Sequence, residues 1–250
     1  MRSRIPITVI TAGALALGVA ACGGGGAEGS GTKAEQAAPG TAPGTDQPAA
    51  DATGTTVARA TGDGVAVFAD PDDTEPVVAV AGTSPFGFRQ SFLVLDDQGD
   101  SLRVLVPGRP NGSTGWIRRA DVELQTVDHE IDVDLEARTL TLRLADDIVL
   151  ETPIAIGAPD APTPTGRFFV TDLLETGDPE DDYGPFAAGL SGYSKELTEF
   201  AGGEGQIGIH GTNDPSSIGQ AVSHGCVRVP NDVITTLATT VPIGTPVTIH

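Results

Sequence analysis

Glu130-Ile131-Asp132-Val133-Asp134-Leu135 alternates polar and apolar residues with a period of two, the pattern of a strand with one buried face and one wet face. Outward from it, His129 to Leu135, Thr139 to Leu144 and Ile148 to Gly157 read as three strands, joined by tight turns at Glu136-Ala137-Arg138 and Ala145-Asp146-Asp147. Ala161-Pro162-Thr163-Pro164-Thr165-Gly166 is a rigid turn into a further strand, Arg167-Phe168-Phe169-Val170. A long Gly- and acid-rich connection runs from Glu175 to Gln206 and carries Tyr183 and Tyr193. Connections of that length inside a compact domain serve as lids or binding loops. Pro230 to Thr240 is the one helix expected, since Pro230 suits its first turn and Gly244 follows its end. Thr245 to Ile249 closes the unit with a last strand, so the fold class is mainly β with one short helix.

Toward the N-terminus the same periodicity continues in shorter pieces. Gly64 to Phe68, Pro76 to Val80, Ser91 to Leu95, Ser101 to Val106 and Gly115 to Arg118 are separated by turn signals such as Asp70-Pro71-Asp72-Asp73 and Pro110-Asn111-Gly112. Short strands at this spacing predict a small barrel or sandwich. The run Gly115 to Val122 resembles the last strands of a bacterial SH3-like domain. A small accessory β-domain is therefore expected at 57–124, with cell-wall binding as its candidate role. Trp116 is either a ligand platform there or part of its core.

The first residues have a different character. Arg2 and Arg4 precede an apolar run from Ile5 to Ala21, and Val19-Ala20-Ala21-Cys22 ends it. A charged start, a short apolar core and small residues before a cysteine mark an export signal, not a membrane span. The end of this run resembles the lipobox of bacterial lipoproteins, which implies removal of residues 1–21, lipidation of Cys22 and a protein held on the outer face of the cytoplasmic membrane. Residues 22–56 are Gly, Ala, Pro, Thr and Gln with scattered charge and no apolar periodicity. Such a segment reads as a disordered tether, with a root-mean-square span of about 30 Å. The net charge of −20 argues against nucleic acid, which needs a basic face.

The residues that carry chemistry lie near the C-terminus, in Ile207-Gly208-Ile209-His210-Gly211-Thr212 and Ser223-His224-Gly225-Cys226-Val227-Arg228. These place a cysteine beside two of the chain's four histidines. With Cys22 lipidated, Cys226 has no partner for an intrachain disulfide. A thiolate is the reactive form of cysteine, and a free thiol with a pKa of ~8.5 is only slightly ionised at neutral pH. A neighbour has to take the proton, and either His210 or His224 suits that task. The pattern reads as an acyl-transfer site.

The set Thr163-Pro164-Thr165-Gly166, Ile209-His210-Gly211-Thr212 and Ser223-His224-Gly225-Cys226-Val227-Arg228, followed by Asn231, closely resembles the L,D-transpeptidase family of bacterial cell-wall enzymes, over residues 125–250. The resemblance implies a β-sandwich-like fold with Cys226 as nucleophile. It implies His210 as general base, oriented by a backbone carbonyl at Gly211, with His224 and Gly225 lining the site and amides near Gly225 and Cys226 holding the oxyanion. It further implies peptidoglycan stem peptides as substrates, release of D-alanine, 3→3 cross-links, no cofactor or metal, and acylation by carbapenem β-lactams. Arg228, Ser223, Tyr193 and Asn231 are the candidate substrate contacts, and Tyr183 joins Tyr193 as a candidate lid residue. Three alternatives share these residues: a zinc site on His210, His224 and Cys226, a wall-binding lipoprotein without activity, and an L,D-carboxypeptidase in which water is the acceptor.

Overall fold

The computed structural model describes residues 54–197 and 204–250; the leader at 1–21, Cys22 and the tether as far as residue 53 lie outside them. All described residues belong to one compact unit, Pro48–His250. The first strand begins at Thr55, so residues 55–56, placed at the end of the expected tether, are strand.

The N-terminal portion consists of β1 Thr55–Ala60, β2 Gly64–Val67, β3 Val78–Ala81, β4 Ser91–Asp97, β5 Ser101–Leu105, β6 Thr114–Arg118 and β7 Val122–Val127. Five of these form a sheet in the order β6-β5-β4-β1-β7, and β2 and β3 form a separate hairpin. Neighbouring residues on a strand face opposite ways, and this sheet buries both faces. Ala58, Phe92 and Val104 point into one cluster with Val65 and Val67 of the hairpin. Their neighbours Val57, Leu93 and Leu105 point to the other face, where they meet Val127 and Phe169. Trp116 is half-buried on β6, and its backbone bridges to Phe68.

The remaining elements are β8 His129–Asp134, β9 Thr139–Leu144, β10 Asp147–Pro153, β11 Ile156–Gly157, β12 Gly166–Glu175, β13 Phe186–Tyr193, β14 Gln206–His210, β15 Ala221–Ser223, β16 Val227–Arg228, the helix α1 Asn231–Thr240 and β17 Pro246–Ile249. Eight strands form one sheet, β10-β9-β8-β17-β12-β13-β14-β16. Its β17–β8 and β14–β16 pairs are parallel. Ile131 and Val133 of β8 face the core with Leu140 and Leu142 of β9, as their alternation predicts. The helix packs Ile234 and Leu237 into the same core.

The long connection expected between Glu175 and Gln206 is not a loop throughout. Its middle is β13, an interior strand between β12 and β14. β12 is the pivot between the two portions. Phe168 enters the core of the eight-stranded sheet, while Phe169, with no exposed surface, enters the cluster made with β1, β4 and β5. The contiguous apolar run Phe168-Phe169-Val170 is thus a strand buried on both faces.

Truncating Phe169→Ala removes the ring that joins the two sheets and should cost about 3–5 kcal/mol. Urea unfolding followed by Trp116 fluorescence, which reports on the N-terminal sheet, and by far-ultraviolet circular dichroism should give coincident transitions that shift together. Transitions that separate in the wild-type chain would show that the sheets unfold independently.

Candidate active site

Strand parity assembles the site. In the parallel pairing of β14 and β16, Ile209 lies opposite Val227 and His210 opposite Arg228. Ile209 and Val227 are both buried in the core. The residues that alternate with them, His210 and Arg228, therefore face away from it, and Cys226, one position before β16, shares that side. His210, Cys226 and Arg228 line one cleft of about 350 Å³, together with Asp182, Tyr183, Asn213, Asp214, Ser223 and His224.

His210 is only 5% exposed. Its Nδ1 lies 2.7 Å from the Gly211 carbonyl oxygen, and a carbonyl can only accept. Nδ1 must carry the proton, so the neutral ring keeps its lone pair on Nε2. The Tyr183 ring packs on the imidazole at 4.6 Å between centroids, tilted by 53°. Burial pulls the His210 pKa down to about 4; the Gly211 hydrogen bond opposes this and the Arg228 charge reinforces it. Cys226 as a residue is half-buried, yet burial pushes its thiol up, against the pull of a hydrogen bond to the Gly208 backbone and the Arg228 charge. Both partners are consequently neutral in the resting site near pH 7. Burial also raises the Tyr183 phenol, helped by the charge of Cys226.

The segment leading into Cys226 is a closed turn. Ser223 Oγ donates to the Cys226 carbonyl at 2.6 Å and accepts from the Gly225 amide at 3.2 Å. Gly225 sits at φ 113°, which a side chain would strain. The Gly225 amide, expected as an oxyanion donor, is thus engaged by Ser223 in this state. Ser223 borders the cleft, but its hydroxyl is committed to the turn.

His224 lies exposed on the cleft rim. Arg228 Nε is buried without a hydrogen-bond partner. Two expected contacts lie outside the cleft. Tyr193 pairs with Gln206, whereas His210 pairs with Ala187, so Tyr193 sits at the far end of the β13–β14 ladder. Its ring there lies beneath the Arg109 guanidinium, 5.1 Å away. Asn231 opens α1 and turns its carboxamide onto loop backbone. Sequence inspection missed Asp182, Asn213 and Asp214, although the acidic run 178–182 and the Asn213-Asp214 pair were visible signals. Among the described residues, no three His, Cys, Asp or Glu side chains are grouped so as to hold a metal ion.

The end of the β14–β16 pair thus places a buried neutral imidazole and a thiol in one cleft, two groups whose combination can support nucleophilic chemistry. Residues 128–249 match the family model described as the L,D-transpeptidase catalytic domain, and the chain belongs to that family. It is 40% identical over 147 residues to the YkuD protein of Bacillus subtilis, covering 59% of this chain and 74% of that one. The corresponding Bacillus licheniformis protein is 38% identical over 146 residues, covering 58% and 73%. Among solved structures, the catalytic domain of an Enterococcus faecium L,D-transpeptidase acylated by ertapenem is 29% identical, covers 50% of this chain and 99% of its own, and has a TM-score of 0.35.

The depressed His210 pKa makes stability depend on pH. Above about 6.5 the ring is neutral in both folded and unfolded chains. Between that value and about 4 the unfolded chain binds a proton that the folded chain excludes, so stability falls as the pH is lowered, by on the order of 3 kcal/mol across the window. His210→Gln should flatten that slope in urea denaturation at stepped pH. Parallel slopes in the two proteins would contradict the assignment.

Proposed function

We propose that the chain is a peptidoglycan L,D-transpeptidase working through a thioester on Cys226. The observation that carries this is the hydrogen bond from His210 Nδ1–H to Gly211, which leaves Nε2 as the proton acceptor in the cleft that Cys226 lines. The donor is a tetrapeptide stem, held with its peptide bond to terminal D-alanine at the thiol. As Sγ attacks the carbonyl carbon, the thiol proton passes to His210 Nε2 and negative charge builds on the carbonyl oxygen. The Cys226 amide is the candidate donor to that oxygen, and one well-placed donor is worth about 3–4 kcal/mol. Collapse breaks the C–N bond, and the D-alanine amine leaves with the proton held by His210.

The resulting acyl thioester is then attacked by the neutral side-chain amine of a neighbouring stem. His210 takes one proton from that amine and returns it to the departing thiolate, so an amide forms and the free thiol is restored. The product is a 3→3 cross-link. Arg228, a cation lining the cleft, suits the terminal carboxylate of the donor. His224, exposed on the cleft rim, is within the surface a bound stem would cover. A carbapenem carbonyl would acylate Cys226 by the first half of the same sequence. The resemblance of the N-terminal run to an export signal with a lipobox at Cys22 supports an enzyme anchored by lipid outside the cytoplasmic membrane, with the 57–124 domain as a candidate wall-binding element.

Incubating the full chain with a disaccharide-tetrapeptide, beside a Cys226→Ala control, tests the proposal by intact-mass and product analysis. Thiol-dependent loss of D-alanine with dimer formation is expected. Loss of D-alanine without dimer would make the chain an L,D-carboxypeptidase, and absence of both product and acyl adduct would overturn the enzymatic assignment.

A further inference from the structure

Two groups fix the His210 ring: the Gly211 carbonyl on its Nδ1 edge and the Tyr183 ring on its face. They come from different loops, and neither loop has regular structure to hold it. Gly211 and Thr212 follow β14, while Tyr183 ends the acidic segment between β12 and β13. Asn213 of the first loop donates to the Glu180 carbonyl and to Asp182 of the second, and one side chain from outside both loops bonds to each of them. Asn231 Oδ1 accepts from the Thr212 amide at 2.8 Å, and Asn231 Nδ2 donates to the Pro179 carbonyl at 3.3 Å.

The fit around this carboxamide is close. A Cβ on Gly211 would lie 2.3 Å from Asn231 Oδ1, and a Cβ on Gly184 would lie 2.4 Å from the same atom. The two loops meet backbone to backbone at these glycines, with a Gly211 Cβ only 3.1 Å from Gly184 Cα. The carboxamide fills the notch that they leave. Asn231 itself stands on a rigid base, because Ile234 and Leu237 of the same helix are anchored in the core. It does not border the cleft.

We infer that Asn231 is a positioning residue for His210, and not a substrate contact. Its Oδ1 fixes the Gly211–Thr212 peptide, whose carbonyl selects the Nδ1–H tautomer, and its Nδ2 fixes the loop that lays Tyr183 on the ring and Asp182 along the cleft wall. Its importance for catalysis rests on the proposed role of His210 as base; its effect on the imidazole does not. Aspartate separates the two halves, since it retains an oxygen for the Thr212 amide but cannot donate to Pro179.

The test uses the full chain and its Asn231→Ala and Asn231→Asp variants, with circular dichroism to establish folding. The His210 tautomer is read by 15N NMR, assigned with His210→Gln, and Cys226 acylation by a carbapenem is followed by mass. In Asn231→Ala the His210 signal should become a mixture of tautomers, and acylation should slow by about 10–100-fold. Asn231→Asp should keep the Nδ1–H tautomer and raise the donor KM more than it lowers kcat. A single Nδ1–H tautomer with wild-type acylation in folded Asn231→Ala would overturn the inference. Should Asn231→Ala not fold, Asn231→Asp with unchanged tautomer, KM and kcat would overturn it equally. A wild-type chain that no donor or carbapenem acylates would defeat the proposed reaction instead, and the tautomer measurement would still decide the role of Asn231.

Discussion

The hydrogen bond between His210 Nδ1 and the Gly211 carbonyl constrains everything else at this site. A carbonyl has no proton to give, so the bond exists only with the proton on Nδ1, and Nε2 on the opposite edge of the neutral ring can then only accept. Burial does the rest by disfavouring the imidazolium. Such a bond requires His210 and Gly211 to be adjacent in sequence yet in different backbone environments, one ending a strand and the other beginning a loop. Both partners of β14 run out near there: His210 pairs with Ala187, the second residue of β13, and with Arg228, the last of β16. Past it, the chain is held by side chains instead of a ladder.

Strand β12 has the corresponding role at the scale of the whole unit. Consecutive phenylalanines on a strand must face opposite ways, so each needs its own apolar partner. Phe168 has the catalytic core, and Phe169 would be left in water without the N-terminal sheet. Polar links reinforce the contact. Arg109 donates to the carbonyls of Ser194, Leu197 and Glu204, while Asn111 pairs with both backbone groups of Tyr193. Ser84 donates to the buried Asp172 on β12. The N-terminal sheet is therefore part of what the catalytic sheet is built against.

Elements whose signal is local were legible in the sequence. The alternation at Glu130 to Leu135 and at Thr139 to Leu144 survives as β8 and β9, and the single helix lies within a residue of its expected start. β13 was hidden because its strand, Phe186-Ala187-Ala188-Gly189-Leu190-Ser191-Gly192-Tyr193, is built from small residues that usually mark loops. Tertiary packing explains them: a Cβ at Gly192 would lie 2.4 Å from the Phe168 ring. β1 was masked similarly, since Thr55-Thr56-Val57-Ala58 continues the composition of the preceding segment. The two halves of the site motif were plain because each is contiguous. What brings Tyr183, Asp182 and Asp214 to them is a fold of the chain that no spacing reveals, and the same fold carries Tyr193 away.

The electrostatics of the cleft favour a resting pair without charge. Burial raises the thiol and lowers the imidazole, so each shift opposes a preformed thiolate–imidazolium pair. Arg228 acts in both directions, because it favours the thiolate and disfavours the imidazolium. Asp181 and Asp182 counter it at His210. Charge separation is then most favourable when the thiol proton moves while Sγ bonds to a carbonyl, since the negative charge passes on to an oxygen that amides can hold. In the proposed reaction, a pair that rests uncharged transfers its proton only as the acyl donor is attacked.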